Sequence, residues 1–456
     1  MSTQHIFVQT LDEVPDLLAL HERQPQRYPF LLESLAHGGK LSRYDILFAL
    51  PQQRLTLYAD GRLAGDVIPR SGGDFLAVFD QWFTAENCAL EPTANLPFTG
   101  GWFVYLGYEL AQTIEPRLHL PHSSDANRIV ATAVRIPGAV IVDRHQQTAW
   151  LVGETADVLA TLQADLKQIL PPLQDSNVLV TDGAHEDDPQ HFLDAVLRIK
   201  EYIQAGDVFQ VNLSRLWQGG LAPDVDVTML YRRLRKANPA PFAGIARWDD
   251  FCIMSSSPER LVRLTGDLLD TRPIAGTRPR HADREQDIAS WQALLQHPKE
   301  RAEHIMLIDL ERNDLGRIAV TGSVKVTEQM VLESYQHVHH IVSNVQARKR
   351  PDILPGEVIR ALFPGGTITG CPKVRCMEII AELERTPRGP YTGSFGYVNR
   401  SGDMDFNILI RTLWTYGRQW FVRAGAGIVA DSIPEAELEE TRAKARGVLA
   451  AMGITA

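Results

Sequence analysis

Residues 191–217 read HFLDAVLRIKEYIQAGDVFQVNLSRLW, and the hydrophobic period of this stretch changes at Gly206. Before that glycine, apolar residues recur every three or four positions from Phe192 to Ile203, which predicts one buried stripe of a helix. Glycine often ends a helix because it adopts the left-handed conformation without steric cost. The stretch therefore predicts a helix that leads directly into a strand, in a chain that combines helices with sheets.

The strand that follows alternates between apolar and polar residues. Phe209, Val211 and Leu213 are expected on its first face. Gln210 and Asn212 are expected on the other face. Two amides on one face of an otherwise apolar strand predict a polar space beside the sheet.

Two regions are expected on either side of a polar stretch at 171–190 that prolines interrupt. Residues 1–180 are predicted to contain mainly short strands, with hairpins around Asp60-Gly61 and around Arg144 to Gln147. Residues 181–456 carry the glycine-rich stretches and most of the candidate functional residues.

The net charge, the cysteine count and the hydrophobic runs of the sequence limit the class of protein. A net charge of -10 over 456 residues argues against nucleic acid or an anionic membrane as the main partner, because neutralising phosphates requires a basic surface. The four cysteines form no CxxC pair, the first residues lack a signal-peptide pattern, and no apolar run is long enough to cross a membrane. We expect a cytoplasmic protein.

Two predicted helices carry pairs of glutamates at helical spacing. Pro298 is well placed to open the first, and Glu300 and Glu303 then share one face. In the second helix, Glu437 and Glu440 share one stripe. Pairs of this kind could hold a hard cation such as Mg²⁺, which prefers carboxylate oxygens. A solvated helix face explains the spacing equally well, so spacing alone leaves both interpretations open.

The second of these helices has further signals of its own. Ser432 and Glu435 have the spacing of a capping box, which predicts that the helix begins there. Leu438, Ala445 and Leu449 form the stripe expected to face the core.

Two glycine-rich stretches fail the tests for nucleotide binding. In FPGGTITGCPK (363–373), Cys371 stands where a phosphate loop requires lysine. In AGAGIVADS (424–432), the helix begins too late and no acidic residue ends a second strand. Both are expected to be turns that bring backbone N–H groups close to a small anion, with plain turns as the alternative. Arg411 is expected in an apolar strand, where its guanidinium needs either a ligand or an internal carboxylate.

Eight stretches follow one another in the order typical of a known family. They are SPER (257–260), PIAGT (273–277), KERAEHIMLIDLERNDLGR (299–317), FPGGTITGCPK (363–373), GPYTGSFGY (389–397), IRTL (410–413), AGAGIVADS (424–432) and EETRAK (439–444). This pattern resembles the chorismate-binding enzymes, which include the first components of anthranilate and aminodeoxychorismate synthases and also the isochorismate and salicylate synthases. LLES (31–34) and LPFTGGWFVYLGYEL (96–110) extend the resemblance to the N-terminal region of the two ammonia-using members.

The resemblance implies one α+β fold, a large sandwich of two sheets with helices outside. It also implies Mg²⁺ beside bound chorismate. Glu303 and Glu440 would hold the ion, and Glu300 and Glu437 would support it, in part through water.

Glu259 would be the general acid that protonates the departing C4 hydroxyl. Arg411, Tyr391 and the backbone at Gly425 and Gly427 would hold the enolpyruvyl carboxylate. A raised pKa would suit Glu259, because hydroxide leaves poorly without a proton.

Further positions follow from the same resemblance. Ala275 and Thr277 of PIAGT are placed among the catalytic positions. His340 is preferred to His339 from its register in the strand. Three side chains would line the ring site: Thr367, His340 and Lys444.

Gln210 separates two branches of the family. Water-adding members carry a lysine in this strand as the base, and an amide cannot replace it. Ammonia, which needs little activation, is the nucleophile that this resemblance implies. A separate glutamine amidotransferase subunit would supply it.

Ala275 bears on the product. Aminodeoxychorismate synthases often have lysine at this position, and that lysine adds to C2 of chorismate; anthranilate synthases typically have alanine. The sequences FPGGTITG and RYDILFALP (43–51) nevertheless resemble the aminodeoxychorismate branch more closely. We expect 4-amino-4-deoxychorismate, the precursor of 4-aminobenzoate and folate, without a lysine adduct. Anthranilate is the alternative.

Two alternatives remain at this stage. Ser34, in LLES, could bind an effector, since this stretch forms a tryptophan pocket in anthranilate synthases. A catalytically inactive chorismate-binding regulator is disfavoured, because the acid, metal and carboxylate positions are all present.

Overall fold

The structure of the chain is a computed structural model that describes residues 3–36, 42–67, 72–90, 96–167, 179–181, 183–223, 225–281, 283–334 and 338–454. The strands in these residues are, in order, β1 (Thr3–Gln4), β2 (Phe7–Leu11), β3 (Phe30–Glu33), β4 (Tyr44–Ala49), β5 (Arg54–Tyr58), β6 (Leu63–Gly65), β7 (Ala89–Leu90), β8 (Gly101–Leu106), β9 (Ile129–Ile136), β10 (Gly138–Asp143), β11 (Thr148–Gly153), β12 (His185–Glu186), β13 (Gln210–Gly220), β14 (Phe242–Trp248), β15 (Phe251–Ser257), β16 (Arg260–Thr265), β17 (Leu268–Thr271), β18 (Ile274–Pro279), β19 (Lys325–Ser334), β20 (Val338–Arg348), β21 (Gly370–Cys371), β22 (Ser394–Asn399), β23 (Met404–Asn407), β24 (Thr412–Tyr416) and β25 (Gln419–Ile428). The helices are α1 (Leu17–Arg23), α2 (Phe75–Glu86), α3 (Ala111–Ile114), α4 (Ala156–Leu166), α5 (Pro189–Gln204), α6 (Val227–Ala237), α7 (Arg284–Gln296), α8 (Pro298–Gly316), α9 (Pro355–Leu362), α10 (Lys373–Glu384) and α11 (Pro434–Ala451), with 3₁₀ turns at Tyr108–Leu110 and Gly366–Ile368.

Two large antiparallel sheets form the centre of the fold. The first has the strand order β12-β13-β25-β24-β15-β14-β3-β4-β10-β11-β2, and β21 also pairs with β13. The second has the order β18-β20-β17-β16-β23-β22-β8-β9-β5-β6, and β19 also pairs with β20. Strands from before and after residue 180 are joined in both sheets, through β3–β14 in the first and β8–β22 in the second.

The two sheets pack face to face through an aromatic core. Phe30 of the first sheet stacks on Phe103 of the second, with ring centroids 4.1 Å apart. Phe48 packs edge-on against the same ring at 5.4 Å. Such pairs stabilise the layer beyond the burial of their area, so this core fixes the two sheets against each other.

Strand β8 shows why both faces of the second sheet are covered. Every residue of this strand is buried. Because side chains alternate along a strand, Phe103 and Tyr105 enter the core between the sheets. Trp102 and Val104 enter a separate core on the opposite face, to which α2 and α9 contribute. Helices α1, α4, α6 and α11 contribute in the same way to the core outside the first sheet. The predicted two-sheet sandwich with outer helices is confirmed.

Several local predictions are confirmed. The hairpins around Asp60-Gly61 and Arg144 to Gln147 are β5–β6 and β10–β11. Helix α5 buries the predicted stripe, and Gly206 follows it with a φ of 82°. Pro298 occupies the first turn of α8. No helix in the described ranges has both the length and the apolar character to cross a bilayer.

Two local predictions are wrong. Helix α11 begins at Pro434 with Ile433 as its N-cap, and Ser432 instead accepts a 3.1 Å hydrogen bond from the N–H of Val429. Phe209 precedes β13 and does not share the buried face of Val211: its side chain is 69% exposed, although its N–H donates a 2.8 Å hydrogen bond to the carbonyl of Cys371.

Candidate active site

A cavity of about 700 Å³ opens where β13, β25, β18 and β20 meet α8 and α11. It brings together most of the residues that the sequence pointed to: Gln210, Glu259, Ala275, Glu300, Glu303, His340, Thr367, Tyr391, Arg411, Gly425, Gly427, Glu437, Glu440 and Lys444. Thr277 lies in β18 beside the cavity, opposite His340 in the strand register. Ser34 lies elsewhere. Residues far apart in the chain therefore converge on one space.

Glu259 is a buried carboxyl group in the wall of this cavity. Burial raises the pKa of Glu259 to about 7, since the charged form loses its hydration. The hydroxyl of Thr367 donates a 2.8 Å hydrogen bond to Glu259 Oε1, which partly opposes that rise. A carboxyl with this pKa carries a proton over much of the neutral range, as a general acid requires.

Gly425 and Gly427 make room for polar side chains. A Cβ at Gly425 would lie 2.6 Å from Tyr391 Oη and 2.7 Å from Asn212 Oδ1, and a Cβ at Gly427 would collide with the amide of Gln210. Both glycines lie within β25, so the predicted turn at this position is wrong. Their function in the fold is to let three polar groups approach a strand closely.

Arg411 directly precedes β24 and has a left-handed φ of 52°, so the prediction that it lies inside a strand is wrong. Its Nη1 donates a 2.9 Å hydrogen bond to the carbonyl of Lys444. Burial lowers the pKa of Arg411. Among the described residues, no carboxylate forms an ion pair with it. A half-buried guanidinium that faces a cavity in this way is suited to a carboxylate ligand.

Four glutamates from two helices line the same cavity. Glu303 Oε1 accepts a 2.8 Å hydrogen bond from Gln210 Nε2. Arg278 Nη2 lies 3.2 Å from a carboxylate oxygen of Glu300, and Lys444 Nζ lies 2.6 Å from one of Glu440. Each of these three carboxylates therefore already has a donor or cation beside it.

The donor set fits Mg²⁺ in its chemistry. No group of three or more His, Cys, Asp or Glu side chains in the described ranges is arranged to hold a metal ion by itself. Mg²⁺ usually takes only one or two carboxylates and completes its shell with water and substrate oxygens. Gly427 leaves space beside Glu303, since a Cβ there would lie 3.6 Å from its Oε1. Carboxylates on α8 and α11 are therefore suitable ligands for an ion shared with the substrate.

The two neighbouring histidines have different surroundings. His340 lines the cavity, and burial lowers its pKa to about 4, which keeps the imidazole neutral. His339 Nε2 lies 2.9 Å from a carboxylate oxygen of Asp287, on the other side of the strand. The structure thus places His340 in the candidate site, as the register predicted.

Sequence reasoning missed Arg278 as a cavity residue. The signal was its place among the arginines of TRPIAGTRPR (271–280). Arg272 pairs with Glu333 outside the cavity, whereas Arg278 lines it. A bulge at Gly276, whose φ is 66°, shifts the register of β18. In this register Arg278 lies opposite His339, and its guanidinium reaches the cavity beside Glu300 of α8.

In and behind the cavity wall, a network of buried charges was also missed. Arg388 and Arg423 both pair with Glu384, at 2.6 and 3.1 Å. Arg388 also donates a 2.7 Å hydrogen bond to the carbonyl of Asn212. Buried charges that are paired in this way hold their neighbours in one geometry, here the strand that carries Gln210.

Ser34 lies at a second cavity, of about 610 Å³. Its hydroxyl donates a 3.2 Å hydrogen bond to the carbonyl of Pro241, and its N–H donates to Asp45 at 2.8 Å. The effector function expected for Ser34 stays a prediction.

Comparisons with known proteins agree with this geometry. The sequence profile of the chorismate binding enzymes matches residues 29–450. Aminodeoxychorismate synthase component 1 of Bacillus subtilis is 41% identical over 92% of this chain and 91% of its own length. Anthranilate synthase component 1 of Acinetobacter calcoaceticus is 38% identical over 93% of this chain and 90% of its own.

A solved structure supports the same assignment. Anthranilate synthase component I from Streptococcus pneumoniae superposes with a TM-score of 0.78 at 30% identity, and the match covers 90% of this chain and 92% of that one. The motifs, the two-sheet fold and the match over nearly the whole length agree. The chain belongs to the family of chorismate-binding enzymes.

Proposed function

We propose that this chain is the chorismate-aminating component of an aminodeoxychorismate synthase, and that it uses ammonia from a partner glutamine amidotransferase. The observation that carries the proposal is one cavity in which an acid, Glu259, is accompanied by carboxylates from two helices and by an amide, Gln210. The similarity to the Bacillus subtilis component 1 supports it.

Glu259 protonates the C4 hydroxyl as it leaves. Its raised pKa supports this function, because a carboxyl ionised at neutral pH has no proton to donate. Thr367 holds one carboxyl oxygen in place. Glu259 thus carries its proton and is held in position before the substrate binds.

Two groups of side chains hold the two carboxylates of chorismate. Arg411 and Tyr391, with the backbone at Gly425 and Gly427, bind the enolpyruvyl carboxylate. Glu303 and Glu440, supported by Glu300 and Glu437, would hold a Mg²⁺ ion on the side of the ring carboxylate. When bound, the ion supplies positive charge that offsets the negative charge of the ring carboxylate during nucleophilic addition.

Gln210 favours ammonia over water as the nucleophile. An amide does not accept a proton at neutral pH, so it cannot convert water into hydroxide. The hydrogen bond from its Nε2 to Glu303 fixes which way the amide points. Ammonia needs no such base, because its lone pair is already available.

Ala275 lines the cavity and offers no nucleophile to C2. The lysine that lines the same cavity, Lys444, contacts Glu440 and the carbonyl of Gly425. We therefore assign both additions to ammonia. The first adds at C2 with loss of the C4 hydroxyl, and the second adds at C4 and expels the C2 amine.

The second candidate is anthranilate synthase component I, which needs only the first addition and then eliminates pyruvate. Ala275 favours it, since alanine is typical of that branch, and so does the similarity to the Acinetobacter calcoaceticus protein.

One assay separates the two. The chain is supplied with chorismate, Mg²⁺ and ammonium, with and without aminodeoxychorismate lyase. Formation of 4-aminobenzoate only with the lyase supports aminodeoxychorismate, whereas anthranilate without the lyase supports the second candidate. Failure to consume chorismate at all would leave the inactive regulator as the better account. Glu259→Gln, nearly isosteric and unable to donate the proton, is the matched control.

A further inference from the structure

Helix α8 separates two spaces. Glu300, Glu303 and Leu307 line the reaction cavity from one side of the helix. A groove of about 760 Å³ lies on the other side, and the α8 residues that line it recur at helical spacing: Ala302, Ile305, Met306, Asp309, Leu310, Asn313 and Asp314. One helix therefore presents one stripe to the reaction cavity and another to the groove.

The wall between the two spaces is one layer of residues thick. Phe209 lines the groove and the next residue, Gln210, lines the cavity. Ala302 and Glu303 repeat this arrangement on α8. The distance from the groove to the reaction cavity is thus about the 10 Å diameter of a helix.

The groove has the surface of a protein interface. Of the large apolar side chains in the described ranges, Phe209 is the most exposed, at 69%, and Ile305 is 47% exposed. Charges of both signs surround them, including Arg117 and Asp309, whose side chains are 64% and 62% exposed. Apolar side chains surrounded by a polar rim are typical of docking surfaces.

We propose that this groove is the docking surface for the glutamine amidotransferase subunit, which then releases its ammonia close to the reaction cavity. The proposal rests on the proposed function. Ammonia released into water is protonated and loses its lone pair, so the nitrogen source must sit close to the cavity. The groove meets that requirement, because only one layer of residues separates it from Gln210.

The test uses the full-length chain with a purified glutamine amidotransferase subunit that confers glutamine-dependent amination on the unaltered chain. Ile305→Glu and Phe209→Asp place a charge on the groove from two different elements. We expect glutamine-dependent amination and the calorimetric affinity for the subunit to fall at least about tenfold, the size of a typical interface hot spot. The ammonium-dependent rate should stay within about twofold of the unaltered chain. Leu197→Glu is the matched control, because Leu197 is 52% exposed on α5, away from the groove.

Three results would overturn the proposal. One is unchanged subunit affinity in both groove variants. Another is an equal loss of the ammonium-dependent rate, which would assign these side chains to the reaction cavity itself. The third is a self-associated chain, seen by light scattering, that the groove variants dissociate, since a second copy would then occupy the groove. The proposed function fails separately, when the unaltered chain does not aminate chorismate with ammonium; subunit affinity still tests the groove in that case.

Discussion

The hydroxyl of Thr367 lies 2.8 Å from Glu259 Oε1 and donates a hydrogen bond to a carboxyl group whose pKa burial raises to about 7. The two residues lie more than a hundred positions apart in the sequence and meet in the wall of one cavity. Burial favours the protonated acid and the hydrogen bond favours the carboxylate, and burial is the larger effect. The pKa of Glu259 therefore lies close to neutral pH, where the group can both hold and release a proton.

Activity should decline above neutral pH. The protonated form of Glu259 is fully populated below its pKa and is lost as pH rises through about 7. At a constant concentration of unprotonated ammonia, we expect kcat/KM for chorismate to be level below pH 7. Above it, the value should fall about tenfold per pH unit. Initial rates from pH 5.5 to 9 measure this, and a profile that still rises at pH 8.5 would exclude Glu259 as the acid.

Removing the Thr367 hydroxyl should move that decline. Thr367→Val deletes a hydrogen bond that lowers the pKa of Glu259, so the pKa should rise further and the decline should begin at a higher pH. Thr367→Ser keeps a hydroxyl and serves as the control. An identical pH profile for the valine and serine variants would show that the hydrogen bond does not affect the acid.

A methyl group at Gly427 should displace the amide of Gln210. The added Cβ would collide with Gln210 Nε2 and thereby disturb the hydrogen bond to Glu303. We expect Gly427→Ala to lower kcat at least about tenfold and the free energy of unfolding by about 1–3 kcal/mol, as overpacking does. Gly316→Ala is the control, because no atom lies within 4 Å of its added Cβ. Full activity in Gly427→Ala would mean that the orientation of the amide does not matter.

The carboxylates on α8 and α11 should be required together with Mg²⁺. We expect Glu303→Ala and Glu440→Ala each to lose at least about a hundredfold in kcat/KM, in keeping with the loss of a metal ligand. Calorimetric titration with Mg²⁺ in the presence of chorismate should show weaker binding in both. Exposed Glu439, next to Glu440 and paired with Arg442, provides Glu439→Ala as the control. Full turnover by either active-site variant in chelator would refute the metal site.

Most of the correct predictions came from two sources, the periodicity of residues along helices and strands and the resemblance to the sequence motifs of the family. Glu300 and Glu303 share a helix face by spacing alone, and the resemblance then placed Glu259, which no period marks. The failures arise where tertiary contacts decide. Phe209 fits an alternating strand, yet its side chain is exposed and lines the groove beside α8, whereas that of Val211 is buried.

The same reason applies to Arg278 and to the glycines of β25. Arg278 lines the cavity beside Glu300, its ion-pair partner on α8, which no local pattern in β18 indicates. Gly425 and Gly427 looked like turn residues, but they lie in a strand that Tyr391, Asn212 and Gln210 approach closely. Such approaches depend on segments distant in sequence, which no local pattern contains.

Both sheets combine strands from the N-terminal part of the chain with strands that are translated much later, and this arrangement affects folding on the ribosome. When only the first third of the chain has emerged, β3 and β8 each lack a neighbour, because β14 and β22 are translated much later. Unpaired strand edges are prone to associate with other chains, and pairings between distant segments form slowly. Production of this protein should therefore depend on chaperones, and a fragment that ends near residue 180 should aggregate.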